Sequence, residues 1–151
     1  MNLIDVNVLV YAFRKDAERH GEYRSWLLDL MNGESAFAVS DQVLSSVIRV
    51  TTHPRIFIEP STLKEAIGFT DSVRQQPTCR LVHPSDNHWT LFTRLLEASR
   101  AKANLVTDAW YAALAIESGC VWVTTDRDFS RFPGLKWQHP LDHTDAIQNP
   151  A

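Results

Sequence analysis

The chain has 151 residues, 44% of them hydrophobic and 22% charged, with a formal net charge of −3 at pH 7. Such a length suits one globular domain with its own core. The mild negative charge excludes a protein that grips nucleic acid by bulk electrostatics. It does not exclude a nuclease, whose site acids enter the formal sum.

Two cysteines, Cys79 and Cys120, supply neither a disulfide framework nor metal spacing, which predicts a reduced, intracellular protein. The opening Met1-Asn2-Leu3-Ile4-Asp5 has no basic region ahead of its apolar residues. No apolar run approaches the roughly 20 residues of a membrane helix. The expected compartment is the cytoplasm, with no membrane partner.

In chain order, Asn2 to Asp5 reads as a short buried strand running into a helix through Val8-Leu9-Val10-Tyr11-Ala12-Phe13. A second helix carries Tyr23, Trp26, Leu27, Leu30 and Met31 at helical spacing and stops at Gly33. Ala36 to Val39 is a second strand. Ser40 or Asp41 then caps a helix with Val43, Leu44, Val47, Ile48 and Val50, broken at His53-Pro54. Thr62-Leu63-Lys64-Glu65 fits a capping box for a helix to about Gln75.

Arg80 to His83 is a third strand. Pro84-Ser85-Asp86 opens a helix with Trp89, Leu91, Phe92, Leu95 and Leu96 mostly on one side. Asp108 opens an alanine-rich helix ending at Gly119, and Cys120 to Thr124 is a fourth strand. Leu135 to Gln138 adds an edge strand, and residues 142–151 form a polar tail after a domain of residues 1–141. Strands alternating with helices imply a mainly parallel central sheet flanked by helices, an α/β fold in three layers. Ligands of such sheets bind beyond the carboxyl ends of the strands.

Four acids carry the chemistry. Asp5, Asp108, Asp126 and Asp128 each border a hydrophobic segment instead of sitting in a charge run. Carboxylates that converge at strand ends need a counter-cation, and a hard divalent ion such as Mg²⁺ takes oxygen ligands. Asp5, Asp108 and Asp126 are the expected metal ligands. Asp128 either joins the site, caps the turn before Phe129 or orients Arg127. The competing role for Asp5 and Asp108 is capping of their own helices, where the dipole favours an acid.

Leu3-Ile4-Asp5-Val6-Asn7-Val8-Leu9, Asp108-Ala109 before an alanine-rich helix, and Thr124-Thr125-Asp126-Arg127-Asp128-Phe129 resemble the motifs of PIN-domain ribonucleases. More narrowly the chain is similar to VapC toxins, and Val50-Thr51-Thr52-His53-Pro54-Arg55-Ile56-Phe57 resembles one actinobacterial-type branch. The resemblance spans Asn2 to about Leu141. It implies a PIN-like fold and an endoribonuclease that uses Mg²⁺, or Mn²⁺ in its place, on structured RNA such as a tRNA or rRNA loop. It also implies inhibition by a small VapB-type antitoxin, whose helix docks in an apolar groove, and pairing as a homodimer. Helices through Trp26 and through Ile67-Phe69 are the expected walls of that groove.

One departure from the family pattern stands out. A glutamate three residues before a helix arginine is usual, but here Arg49 follows Ser46. Asp41 is about 140° around the helix and roughly 7.5 Å along it, so it does not replace that acid. One well-held ion is the expectation. Ser46 either holds a water or packs in the core, and Asn7 either bonds a metal-bound water or caps a helix. The hydroxyls of Thr124 and Thr125 are candidates to fix Asp126, and Arg49, Arg55, Arg127 and Arg131 to meet RNA phosphates. His53, before a proline, is expected to be structural.

Two other classes stand beside the nuclease. A catalytically impaired RNA-binding or antitoxin-sequestering module would account for the missing glutamate, but a decayed site should have lost more acids. A phosphatase with a strand-end nucleophile would want an acid where Asn7 stands.

Overall fold

The computed structural model describes residues 1–142, so the predicted tail lies outside the described residues apart from Asp142. Five strands, β1 (Asn2–Ile4), β2 (Phe37–Val39), β3 (Cys79–Leu81), β4 (Val121–Val123) and β5 (Trp137–Gln138), form one sheet in the order β3-β2-β1-β4-β5. Every pairing is parallel.

Six helices connect and cover the strands: α1 (Val6–Phe13), α2 (His20–Asn32), α3 (Asp41–Thr51), α4 (Leu63–Arg74), α5 (His88–Ser99) and α6 (Asn104–Glu117). The chain steps from β1 through β2 to β3, then returns across the sheet to β4. Right-handed crossovers therefore place α1–α4 on one face and α5–α6 on the other. The packing agrees, since α1 lies against α2 and α3, α3 against α4, and α5 against α6. The reversal of direction falls between β1 and β4, which makes their carboxyl ends the topological switch point.

Burial explains why three-residue strands suffice. Leu3, Ile4, Phe37, Ala38, Val39, Trp122 and Val123 are wholly buried between the helical layers. Each large side chain among them contributes about 1.5–3 kcal/mol on leaving water. The helix ends follow the sequence closely. Ser40 caps α3 by accepting the Val43 N–H, and Thr62 and Glu65 form the capping box of α4. Gly119, just past α6, has φ +68°, which glycine adopts without strain.

Several boundaries differ from the sequence expectation. β3 covers Cys79–Leu81 and not residues 80–83, and β4 is Val121–Val123, because the pairing with β2 and with β1 sets their ends. Helix α6 begins at Asn104, so Asp108 stands one turn inside it and does not open it. Trp89 is 66% exposed, outside the apolar stripe it was assigned to; α5 packs through Phe92 and Leu95 instead.

Candidate active site

The switch point builds the site from both of its strands. Ile4 and Val123 are register partners, so the residues that follow them, Asp5 and Thr124, leave the sheet side by side. The Asp5 N–H donates to the Val123 carbonyl at 2.9 Å, extending the ladder by one bond. Asp5 then caps α1, its Oδ1 accepting the Val6 N–H at 2.6 Å. Its Oδ2 accepts the Thr124 hydroxyl at 2.6 Å. One carboxylate thus caps α1 and is tied to the end of β4 at once.

Thr124 is the hub of this corner. While its hydroxyl donates to Asp5, the same oxygen accepts the Asp126 N–H at 3.0 Å. Sequence reasoning assigned Thr124 and Thr125 to the Asp126 carboxylate; Thr124 instead holds Asp5. Thr125 contributes its backbone N–H to Asn7 Oδ1 at 3.3 Å. The parallel register of β1 and β4, invisible in the sequence, decides that pairing. Asn7 thereby ties the first turn of α1 to the end of β4.

A cavity of about 490 Å³ opens at this end of the sheet and takes residues from each surrounding element. Asp5, Asn7, Asp108 and Asp126 line it, and α3 adds Ser46, Arg49 and Val50, which share one face at helical spacing. Asp108 and Tyr111 do the same on α6. Tyr111, Thr107, Ile56 and Phe57 were not singled out from the sequence as site residues. Helical spacing from Asp108 would have found Tyr111; nothing local marks the other three.

The acids feel one another. Burial pushes the Asp5 carboxyl up to about 7 against the pull of its Thr124 and Val6 hydrogen bonds, and the charges of Asp108 and Asp126 add to the rise. Asp108 is pushed up to about 6 by burial and then by Asp126 and Asp128. Among the described residues, no ion pair involves Asp5, Asp108 or Asp126. The three acids thus share one cavity without an ion-pair partner, the condition that a cation relieves.

Among those residues no three acidic, histidine or cysteine side chains cluster closely enough to enclose an ion. The acids instead line one cavity and interact through their charge. This suits a magnesium-like ion, which keeps several waters and takes only one or two carboxylates directly. The hard oxygen donors of Asp5, Asp108 and Asp126 fit such an ion, and no soft ligand lines the cavity.

The remaining expected residues divide. Asp128 does not line the cavity; its N–H bonds Asp126 Oδ1 at 2.9 Å, and its carboxylate lies 3.9 Å from Arg131. Arg49 lines the cavity, whereas Arg127 pairs with Asp142 at 3.1 Å. Arg55 is exposed beyond the cavity, and its N–H donates to His53 Nδ1, which gives His53 a turn-forming role. Ser46 is half-buried at the wall near Tyr111; burial raises the phenol's pKa and the Ser46 hydroxyl offsets part of the rise.

A doubly wound parallel sheet with acids gathered at its switch point defines an α/β domain whose candidate site lies at the carboxyl ends of β1 and β4. The chain belongs to the PIN domain family, whose model matches residues 3–135. Among its relatives, Ribonuclease VapC43 of Mycobacterium tuberculosis is 39% identical over 142 residues, 94% of this chain and 97% of that protein. Ribonuclease VapC25 of the same species is 37% identical over 140 residues, 93% of this chain and 99% of that one. In fold the chain is similar to VapBC2 from Rickettsia felis bound to a promoter DNA fragment, with TM-score 0.67, 20% identity and 91% and 97% coverage. It is also similar to M. tuberculosis VapC20, described as a sarcin–ricin loop cleaving toxin, with TM-score 0.64, 16% identity and 90% and 99% coverage.

Proposed function

We propose that this protein is an Mg²⁺-dependent endoribonuclease toxin, restrained by a small antitoxin protein. The observation that carries the reading is the convergence of Asp5, Asp108 and Asp126 on one cavity at the β1–β4 switch point. Its relatives are named ribonucleases over nearly the full chain, and several solved neighbours are toxin–antitoxin complexes. The substrate class is RNA with an accessible, unpaired loop, since a concave site on a small domain reads bases that are splayed from a helix.

Asp5, Asp108 and Asp126 would hold the ion. The chemistry a bound ion would supply is polarisation of a phosphate and a lowered pKa for a water. The protein's own groups do the rest. Thr124 and the Val6 N–H fix the Asp5 carboxylate in one orientation, and Asn7 holds the β4 end against α1. Arg49, at the cavity wall, meets a phosphate oxygen. Asp128 acts through Asp126, whose carboxylate its N–H orients.

Homodimer pairing, the antitoxin's docking groove and a cytoplasmic location belong to the same reading. No helix among the described residues is long and apolar enough to cross a membrane. Exposed Leu63 and Ile67 on α4 supply apolar surface of the kind a partner helix covers.

Purified antitoxin-free protein, incubated with total RNA in Mg²⁺, Mn²⁺ or EDTA, tests this directly. Discrete metal-dependent fragments, absent with Asp5→Asn, are expected. Intact RNA across several pools in both metals would leave an RNA-binding or antitoxin-sequestering module as the better description.

A further inference from the structure

The cavity lining is of two chemical kinds. Acids form part of its lining; apolar side chains form another part, among them Val10 on α1, Val50 on α3, and Ile56 and Phe57 in the loop between α3 and α4. That loop is held in part by its own backbone. Its tip turns on His53, whose carbonyl accepts the N–H groups of Ile56 and Phe57 at 3.1 Å each. Its neck closes where the Ser61 N–H donates to the Thr51 carbonyl at 2.8 Å. Ile56 is 51% exposed, so burial alone does not pin the tip.

Arg14 does. It is the residue that ends α1, the helix that Asp5 begins, and its side chain is only 11% exposed. The guanidinium donates to both oxygens of Asp16, at 2.9 and 2.6 Å, which fixes its plane. It then reaches across to the loop, donating to the Glu59 carbonyl at 2.8 Å and the Ser61 hydroxyl at 3.0 Å. Its carbon centre lies 4.0 Å over the Phe57 ring. One side chain thus contacts the loop at Phe57, Glu59 and Ser61, and helix α1 joins this latch rigidly to the acid corner.

We propose that Arg14 is a positioning residue for substrate recognition: it latches the 53–61 loop so that Ile56 and Phe57 form the wall on which the unpaired base beside the scissile phosphate packs. The proposal rests on the nuclease reading above. A base is the apolar, π-faced part of RNA, and the wall offers it apolar and aromatic surface with Arg49 nearby for the phosphate. A cavity of about 490 Å³ is of ligand size, suited to an inserted base and not to the flank of a duplex. Lysine would not replace Arg14, because it lacks the planar fork and the stacking surface.

The test is a cycle on the mapped RNA substrate, with the base flanking the cut present or replaced by an abasic residue. For wild-type protein, removal of the base is expected to lower kcat/KM by about tenfold or more, mostly through KM. Arg14→Gln, Arg14→Lys and Ile56→Ser are each expected to lose about tenfold on the intact RNA, yet little further on the abasic one. Ile56→Ser removes a half-exposed side chain, so it keeps the test open where an Arg14 variant folds poorly. Losses that simply add, or variants as active as wild type on intact RNA, overturn the latch while leaving the nuclease standing. An Ile56→Ser protein with unchanged cleavage but weakened antitoxin binding does the same and assigns the wall to the protein partner. A wild-type protein that cuts no RNA overturns both readings together.

Discussion

The Thr124 hydroxyl donates to Asp5 Oδ2 across the seam between the fourth strand and the first, 2.6 Å apart and 119 residues distant in sequence. A buried carboxylate held on both oxygens keeps one orientation, so on the nuclease reading it is set before any ion arrives. Thr124→Val is expected to weaken Mn²⁺ binding by about 10–100-fold and RNA cleavage in proportion, whereas Thr124→Ser keeps both near wild type. Isothermal titration with Mn²⁺ beside a cleavage assay checks this. Equal losses for valine and serine would show that packing, not the hydroxyl, matters.

The raised pKa of Asp5 predicts how the metal-free protein responds to pH. Its folded-state value of about 7 exceeds the ordinary 3.8, so the folded chain binds more protons between those limits. The associated stability is full below about pH 4 and is lost as pH rises through about 7. Asp5→Asn escapes that loss. In EDTA at pH 8 the variant is expected to be more stable than wild type by about 1–3 kcal/mol, with the gain gone at pH 4. Thermal melts at both pH values decide it, and a gain that persists unchanged at pH 4 would rule out the linkage.

Arg49 and Arg127 should separate cleanly. Arg49 lines the cavity, while Arg127 is exposed and paired with Asp142. Arg49→Ala is expected to raise KM and to reduce the salt dependence of RNA binding by about one charge; Arg127→Ala should leave both nearly unchanged. Fluorescence anisotropy with labelled RNA from 50 to about 200 mM salt reads the slopes.

Ser46 lines the cavity wall, three residues before Arg49 on α3. Ser46→Glu adds a fourth carboxylate to a cavity already crowded with charge. The metal-free variant should melt lower than wild type at pH 8, and Mn²⁺ should restore it, with affinity tightened by about tenfold. Melting curves with and without Mn²⁺ measure both effects, and an unaltered affinity would place Ser46 outside the ion's reach.

Far from the site, Glu117 at the end of α6 binds the start of α5. Its carboxylate accepts His88 Nδ1 at 2.6 Å together with the Ser85 hydroxyl and N–H. Burial alone would raise this carboxyl, but the Ser85 and His88 bonds outweigh it and hold it below the usual range. Glu117→Ala strands the buried His88 and is expected to cost about 1–3 kcal/mol in chemical denaturation, with specific activity per folded molecule retained.

Much of this was legible along the chain because it rests on local physics. The capping box at Thr62 and Glu65, the Ser40 cap, the stop at Gly119 and the apolar runs of the strands each follow from a few neighbouring residues. The acids Asp5, Asp108 and Asp126 were conspicuous because a charge beside a buried segment needs a partner, wherever that partner lies. Register and long-range contact were not legible. Thr124 bonds Asp5 only because Ile4 pairs with Val123, and no pattern within either strand encodes that pairing. Asp108 stands inside its helix because α6 starts at Asn104, four residues before the segment where helical periodicity becomes strong. Arg14 reaches Glu59 and Ser61, 45 and 47 positions away, through contacts that none of its neighbours in the chain encodes. The sequence by itself determined which residues are apolar, which turn the chain and which acids demand a counter-charge, since burial and capping act on near neighbours. The tertiary structure alone decided which of those groups meet, because strand register and helix packing are properties of the assembled sheet and of no single segment.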